Sequence, residues 1–116
     1  MTHPCFHART SVKRWGGEEK DYLAIHDWLD SSKSAFCDFR HRALRHHSFG
    51  VFEAEQRFGH SIINSAGREV PVRYIAELHI KEDCGGMVPS LADWLSRIPS
   101  ESWMSRGYVD TSLVGS

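Results

Sequence analysis

Apolar and polar positions alternate with the spacing of α-helices over much of the chain. The first such segment covers residues 21–33, and its apolar stripe at i, i+3, i+4, i+7 and i+11 consists of Tyr22, Ile25, His26, Leu29 and Lys33. A second segment begins near Ser34 and continues towards Phe58, with Gly50 as a point where the helix breaks or bends. The pattern therefore predicts two amphipathic helices in the first half of the chain.

A short β-hairpin and a third helix are predicted next. Residues 61–72 place apolar residues on both sides of a Ser-Ala-Gly turn, as in a hairpin. Pro71 could instead open the following helix at its first position, where proline is favoured. That helix covers residues 72–83 and stops at Gly85-Gly86.

A fourth helix is predicted within residues 89–98. Ser90 and Asp93 have the spacing of a capping box, in which each side chain accepts a hydrogen bond from the other residue's backbone N–H. Taken together, the segments predict a mainly α fold, a compact bundle of about four helices with a small β-hairpin before the third helix.

The same pattern divides the chain into a domain and a tail. Residues 1–98 are predicted to form a single globular helical domain, with an irregular stretch over residues 1–19. Beyond Pro99 the periodicity ends, so residues 99–116 are predicted to be a C-terminal tail, either flexible or docked through Trp103 and Tyr108.

Charge and composition narrow the function classes. The chain of 116 residues has 14 Lys and Arg against 15 Asp and Glu, which disfavours nucleic acid as a partner. It lacks a signal-peptide pattern and an apolar run of about 20 residues, the length that spans a bilayer. Its three cysteines form no C-x-x-C pair. We therefore predict a soluble cytoplasmic protein without membrane association.

Histidine is the residue type that points to a site. Three predicted helices each place one histidine on the face they should bury: His26, His47 and His79. Carboxylates follow two of them within one turn: Asp30 after the first, and Glu82 and Asp83 after the last. Because buried charge is costly unless it is paired or metal-bound, one shared polar site is the economical interpretation.

Imidazole is the commonest protein ligand for zinc, and three protein ligands with an open position form the pattern of catalytic zinc. The leading hypothesis is therefore a small metal-binding protein with a zinc-like site, in one version a metal-dependent hydrolase. The predicted metal residues, counting those that would complete or orient the site, are His26, His47, His79, Asp30, Glu82, Asp83 and His7. In the hydrolase version, Glu55 or Glu53 would be the catalytic base.

Two hypotheses of other classes stay open. In a non-catalytic binding module, Arg40 and Lys33, together with His47, would hold a small phosphorylated or acidic ligand such as a nucleotide, or a protein partner. In an interaction module, the polar residues would form a structural core without a ligand. A homodimer is one option for the assembly.

Helical phase also sorts the remaining cations of the stretch RHRALRHH. It predicts that His41, Arg42 and Arg45 face water and that His46 lies beside the site. The adjacent histidines would then not form a double ligand.

Several strings in the chain resemble a family of small bacterial and phage proteins of uncharacterised function. They are HDWLDSSK, FRHRALRHHSFG, EQRFG, VPVRYIAELHIKED and VPSLADWL. The resemblance extends from about His7 to Ile98. It implies a compact domain of this length and points to the histidine-rich motifs, but it implies no reaction or substrate.

Overall fold

The protein is mainly α-helical, with one small antiparallel sheet. A computed structural model describes residues 3–108. Within this range the α-helices are α1 (Pro4–Trp15), α2 (Leu23–Asp30), α3 (Ser48–Phe58), α4 (Val72–Asp83) and α5 (Leu91–Leu95), and the strands are β1 (Ser61–Ile63) and β2 (Glu69–Pro71). Short 3₁₀ helices lie at Glu19–Asp21, Ser31–Ser34, Phe39–Leu44 and Ser102–Ser105. The predicted fold class, including the hairpin ahead of the helix over 72–83, is confirmed.

Helix α4 is the central element, because it packs against α1, α2 and α3. Its buried face carries Val72, Ile75, Ala76, His79 and Ile80. The hairpin lies beside the start of α4, where Ile62 pairs with Val70 across the two strands and Val70 is fully buried. The last turn of α4 thus lies at the end of the core that is remote from the hairpin.

The first nineteen residues are not irregular as expected from the sequence, since α1 occupies most of them. Its N-cap is His3, whose Nδ1 accepts a hydrogen bond from the Cys5 N–H at 3.1 Å. The buried face of α1 combines Ala8 with the polar residues His7 and Ser11, all at 0% exposure. Because two of these positions are polar, the apolar periodicity that would have indicated the helix is absent.

The helix expected from Ser34 to Phe58 is also wrong, since the chain forms a 3₁₀ helix, a turn and then α3. His47 is the N-cap of α3, and its Nδ1 accepts a hydrogen bond from the Gly50 N–H at 3.0 Å. Gly50 lies inside α3 and does not break it. A Cβ atom there would meet the Arg45 carbonyl oxygen at 1.9 Å, so the glycine permits a close approach of the turn.

The capping box of the last α-helix is confirmed. Ser90 Oγ accepts from the Asp93 N–H at 3.0 Å, and Asp93 Oδ2 accepts from the Ser90 N–H at 2.8 Å. Farther along, Trp103 and Tyr108 are 72% and 75% exposed. The rest of the expected tail, residues 109–116, lies outside the described residues. Among residues 3–108, the helices are too short or too polar to cross a membrane.

Candidate metal centre

Two histidines and two aspartates bring their side-chain tips together at the end of α4. They are Asp30, His46, His79 and Asp83, and one ligand atom from each lies within 4.8 Å of the others. Asp30 is the last residue of α2, and His79 and Asp83 are one turn apart on α4. His46 comes from the turn before α3. The four side chains could hold a metal ion.

The four contacts between imidazole and carboxylate are of similar length. His46 Nε2 lies 3.0 Å from Asp83 Oδ2 and 3.5 Å from Asp30 Oδ1. His79 Nε2 lies 3.1 Å from Asp30 Oδ1 and 3.3 Å from Asp83 Oδ2. In a tetrahedral zinc site with bonds of about 2.0–2.1 Å, neighbouring ligand atoms are about 3.3 Å apart. The four imidazole–carboxylate separations are therefore close to the ligand–ligand distance of such a site, and the remaining two are below 4.8 Å.

The cluster is closed off from solvent. Both histidines are fully buried, and the side chains of Asp30 and Asp83 are 6% and 2% exposed. Two buried carboxylates need compensating positive charge, because unpaired charge in the interior costs several kcal/mol. Two imidazolium groups would balance them, and so would one divalent ion bound by two neutral imidazoles.

The electrostatics of the four groups reflect their mutual contact. Burial lowers the pKa of His46, but the contacts with the carboxylates of Asp30 and Asp83 outweigh it and leave that pKa above its ordinary value. Burial raises the pKa of both carboxylates, and the neighbouring histidines, His46 first, reverse this and hold them well below the usual range. The aspartates are therefore ionised at neutral pH, as ligands must be.

A hydrogen-bonded chain behind His79 orients its ring. His79 Nδ1 lies 2.9 Å from His26 Nδ1, and His26 Nε2 lies 2.8 Å from Ser11 Oγ. The Ser11 hydroxyl has a single hydrogen, which it can donate to the His7 carbonyl at 3.0 Å. When the Ser11 hydroxyl donates to His7, His26 donates its Nε2–H to Ser11, and its Nδ1 accepts from the Nδ1–H of His79. The Nε2 lone pair of a neutral His79 then points at the carboxylates.

His26 is suited to accept in this chain, because it stays neutral. Burial, followed by the neighbouring His79 and His7, lowers the pKa of His26 to about 2. A histidine whose second nitrogen donates to a fixed acceptor is the usual arrangement around protein-bound metals, since it sets the tautomer of the ligand. His26 thus lies behind His79 and outside the four-residue group.

Helix α1 closes the cluster from the other side through His7. Its Nδ1 lies 2.9 Å from Glu82 Oε1, and its Nε2 lies 3.4 Å from Asp83 Oδ1. Glu82 Oε1 also accepts a hydrogen bond from the Thr10 hydroxyl at 2.9 Å. Arg42 NH2 lies 3.6 Å from the same Asp83 Oδ1, and its NH1 donates to the Asp83 carbonyl at 3.2 Å. The second oxygen of Asp83 therefore lies at ion-pair distance from a histidine and an arginine, without a hydrogen bond to either in the described part of the chain.

The structure brings together most of the expected site residues, but His46 lies in the cluster where His47 was expected. Asp30, His79 and Asp83 are in the cluster, with His26, His7 and Glu82 one contact farther out. The expectation that His47 meets His26 and His79 is wrong, since His47 caps α3 and His46 takes that position. The physical reason is the break before α3. His47 was assigned to the site on the assumption of one continuous helix, and the break removes the fixed angle between its residues on which that assignment depended.

Three other expectations for this stretch are corrected for the same reason. His41 is 1% exposed instead of facing water. Arg42 contacts Asp83, and Arg45 lies over the Trp28 ring, 4.2 Å from its centroid. At His47 the backbone is extended (φ −159°, ψ 173°), and adjacent side chains of an extended chain point in opposite directions. This geometry explains why only one of the paired histidines enters the cluster.

The four remaining expected site residues lie elsewhere. Glu53 and Glu55 are on α3, which contributes no ligand to the cluster, and Glu55 Oε2 lies 3.4 Å from His60 Nδ1. Arg40 is 65% exposed and pairs with Asp38 through NH2 and Oδ2 at 2.7 Å. Lys33 is half-buried in the 3₁₀ helix after α2. No hydrogen bond or ion pair found among residues 3–108 links these four to the cluster.

The fold and the site together define a small helical protein with a buried His/Asp cluster able to hold a metal ion. The chain belongs to a family described as a domain of unknown function, DUF6915, whose profile matches residues 2–104. This membership agrees with the resemblance to an uncharacterised family noted from the sequence motifs. Comparison with curated proteins and with solved structures gave no match.

Proposed function

We propose that this protein binds one divalent transition-metal ion, with zinc the expected ion, through Asp30, His46, His79 and Asp83. The observation that carries the proposal is the spacing of the four ligand atoms, with all four imidazole–carboxylate contacts between 3.0 and 3.5 Å. Two imidazoles and two carboxylates form a ligand set of the kind that zinc accepts, and they neutralise its charge.

A purely structural polar core is the competing explanation, and the hydrogen bonding disfavours it. Without an ion, each histidine could offer at most one Nε2–H to two carboxylate oxygens. Only the His46–Asp83 and His79–Asp30 contacts meet hydrogen-bond geometry, whereas the two contacts at 3.5 and 3.3 Å are ion pairs only. An ion at the centre would contact all four atoms at once. It would also select the tautomer in which His79 donates to His26, because metal binding needs the Nε2 lone pair.

The arrangement favours an ion that stabilises the fold over an ion that hydrolyses a substrate. Catalytic zinc keeps an open coordination position for water, whereas four protein ligands complete the tetrahedral site of a structural ion. The cluster is buried, and the glutamates suggested as general bases belong to a helix that supplies no ligand. We therefore propose a structural metal centre and do not extend the proposal to hydrolysis.

Metal analysis of protein purified without a histidine tag tests this proposal. Wild type should contain about one transition-metal ion per chain, and His79→Gln and Asp30→Asn should lose it. The matched controls are His60→Gln, at an exposed histidine, and Asp27→Asn, at an exposed aspartate on the same helix as Asp30. Both controls should keep the ion.

Titration of chelator-stripped protein separates the metal site from a polar core. Added Zn²⁺ should stabilise the wild type by about 4 kcal/mol when its free concentration is 1,000 times the dissociation constant. Co²⁺ should give the intense visible bands of tetrahedral coordination. If folded protein contains no metal and its unfolding transition does not respond to Zn²⁺, Co²⁺, Fe²⁺ or Mn²⁺, the cluster is a structural polar core and the proposal is refuted.

A further inference from the structure

A cavity of about 710 Å³ is lined by residues from the 3₁₀ helix Phe39–Leu44 and from the segment that runs from α5 to Pro99. Its lining is mostly carbon and comprises Ala35, Phe36, Arg40, His41, Ala43, Leu44, Trp94, Arg97, Ile98 and Pro99. The volume is in the range of small-molecule sites, which are typically apolar with a few polar groups.

The charged groups of the lining are both cationic. Arg40 and Arg97 contribute to it, and the lining contains no carboxylate. Arg40 already pairs with Asp38 and lies over the Phe36 ring, 4.6 Å from its centroid. Arg97 is exposed, and its NH1 donates to the Asp93 carbonyl at 2.7 Å. Its Nε and NH2 make no hydrogen bond in the described part of the chain, so Arg97 has donors available for an anion.

His41 provides the second observation that points to a ligand. It is 1% exposed, and its Nδ1 lies 2.8 Å from Ser32 Oγ. Its Nε2 is buried and has no hydrogen-bond partner among the residues described. Leaving such a group unpaired typically costs about 1–3 kcal/mol. When the Ser32 hydroxyl donates to Nδ1, the neutral ring carries its hydrogen on Nε2 and can donate it to a carboxylate.

Trp94 gives the cavity one wall of fixed orientation. Its indole Nε1–H donates to the His46 carbonyl at 2.9 Å, which ties the ring to the segment that carries His46. A flat aromatic face held in this way can pack against an apolar body. Leu44 and Ile98, exposed by 54% and 50%, offer further apolar surface at the same opening.

We infer that this cavity binds a small amphipathic carboxylate, with an aromatic or short aliphatic body against Trp94 and its carboxylate near Arg97 and His41. A nucleotide fits less well, because only two arginines border the cavity and one is already paired. Lys33 and His47, expected from the sequence to bind an acidic ligand with Arg40, do not line the cavity. The inference does not depend on the proposed metal ion.

Nuclear magnetic resonance titration of the full chain with 4-phenylbutyrate tests the inference, with the Trp94 indole N–H as the reporter. The carboxylate should cause a saturable shift of this signal. The neutral 4-phenylbutyramide should bind about tenfold more weakly, because it loses the charge-assisted contact with Arg97. Acetate and inorganic phosphate, which lack the apolar body, should cause no saturable shift.

Variants locate the site independently. Arg97→Gln changes an exposed side chain and should weaken 4-phenylbutyrate binding about tenfold, and Ala43→Phe, which fills the cavity, should abolish it. Arg57→Gln, at an exposed arginine of α3 outside the cavity, should bind as wild type does. Equal affinity for the acid and the amide, absence of a saturable shift with the acid, or unchanged binding by Arg97→Gln would overturn the inference.

Discussion

Asp83→Asn is the substitution for which the structure predicts the largest loss of stability at nearly constant side-chain shape. Asp83 Oδ2 contacts His46 and His79 at 3.0 and 3.3 Å, and Oδ1 contacts His7 and Arg42 at 3.4 and 3.6 Å. An asparagine would replace one oxygen by an NH₂ group, which would face two donors. It would also leave the cationic partners of a buried carboxylate without their counter-charge.

Removing one partner of a buried ion pair typically destabilises a protein by about 3–5 kcal/mol, so we expect a loss in this range. Urea unfolding in the presence of a chelator measures it without any contribution from a bound ion. With a slope of about 1.5 kcal/mol per molar urea, the midpoint should fall by about 2–3 M. Asp27→Asn, at an exposed position, is the control. A difference of less than about 1 kcal/mol between the two variants would refute the assignment of Asp83 as the centre of the network.

Three further predictions concern other parts of the molecule. Gly50→Ala should destabilise the protein by about 3 kcal/mol in urea unfolding, because its Cβ would lie 1.9 Å from the Arg45 carbonyl oxygen; a loss below 0.5 kcal/mol would contradict this packing. Protonated His46 should stabilise the metal-free fold fully below about pH 6.5, and that contribution should disappear as pH rises through its raised folded-state pKa. Unfolding free energies of chelated wild type should therefore decline from pH 6 to 9 more steeply than those of His46→Gln. Ser90→Ala should cost about 1 kcal/mol through loss of the N-cap, measured by thermal unfolding with the exposed Ser100→Ala as control.

Helix α4 was predictable from the sequence because its local signals agree. Its apolar positions keep a helical period, Pro71 precedes it and Gly85-Gly86 follows it. His79 and Asp83 therefore fell on the buried face with the right relative phase. Asp30 was correctly associated with the site for the same reason, since α2 begins within two residues of its predicted start.

The segment between α2 and α3 was not predictable in this way, because tertiary contacts decide its path. Its 3₁₀ helix follows Asp38, which accepts from the Arg40 N–H at 2.8 Å, and its turn is allowed by the close approach of Gly50 to Arg45. Neither feature produces a periodic pattern. A helical phase carried across this break therefore assigned His47 to the site and His46 to its flank, the reverse of the structure. Because adjacent side chains point in different directions, the sequence indicated that only one of the two histidines would enter the site. It did not indicate which one.

The contacts of the cluster join parts of the chain that are distant in sequence. His79 and Asp30 are 49 residues apart, and His7 and Glu82 are 75 apart. Closing a flexible loop of 49 residues costs about 3.5 kcal/mol in chain entropy, apart from a constant. The cysteines of the described chain are unpaired, so no disulfide makes this connection. An ion in the proposed centre would act as a reversible cross-link, and its ligand set would be complete only after the chain has been synthesised as far as Asp83.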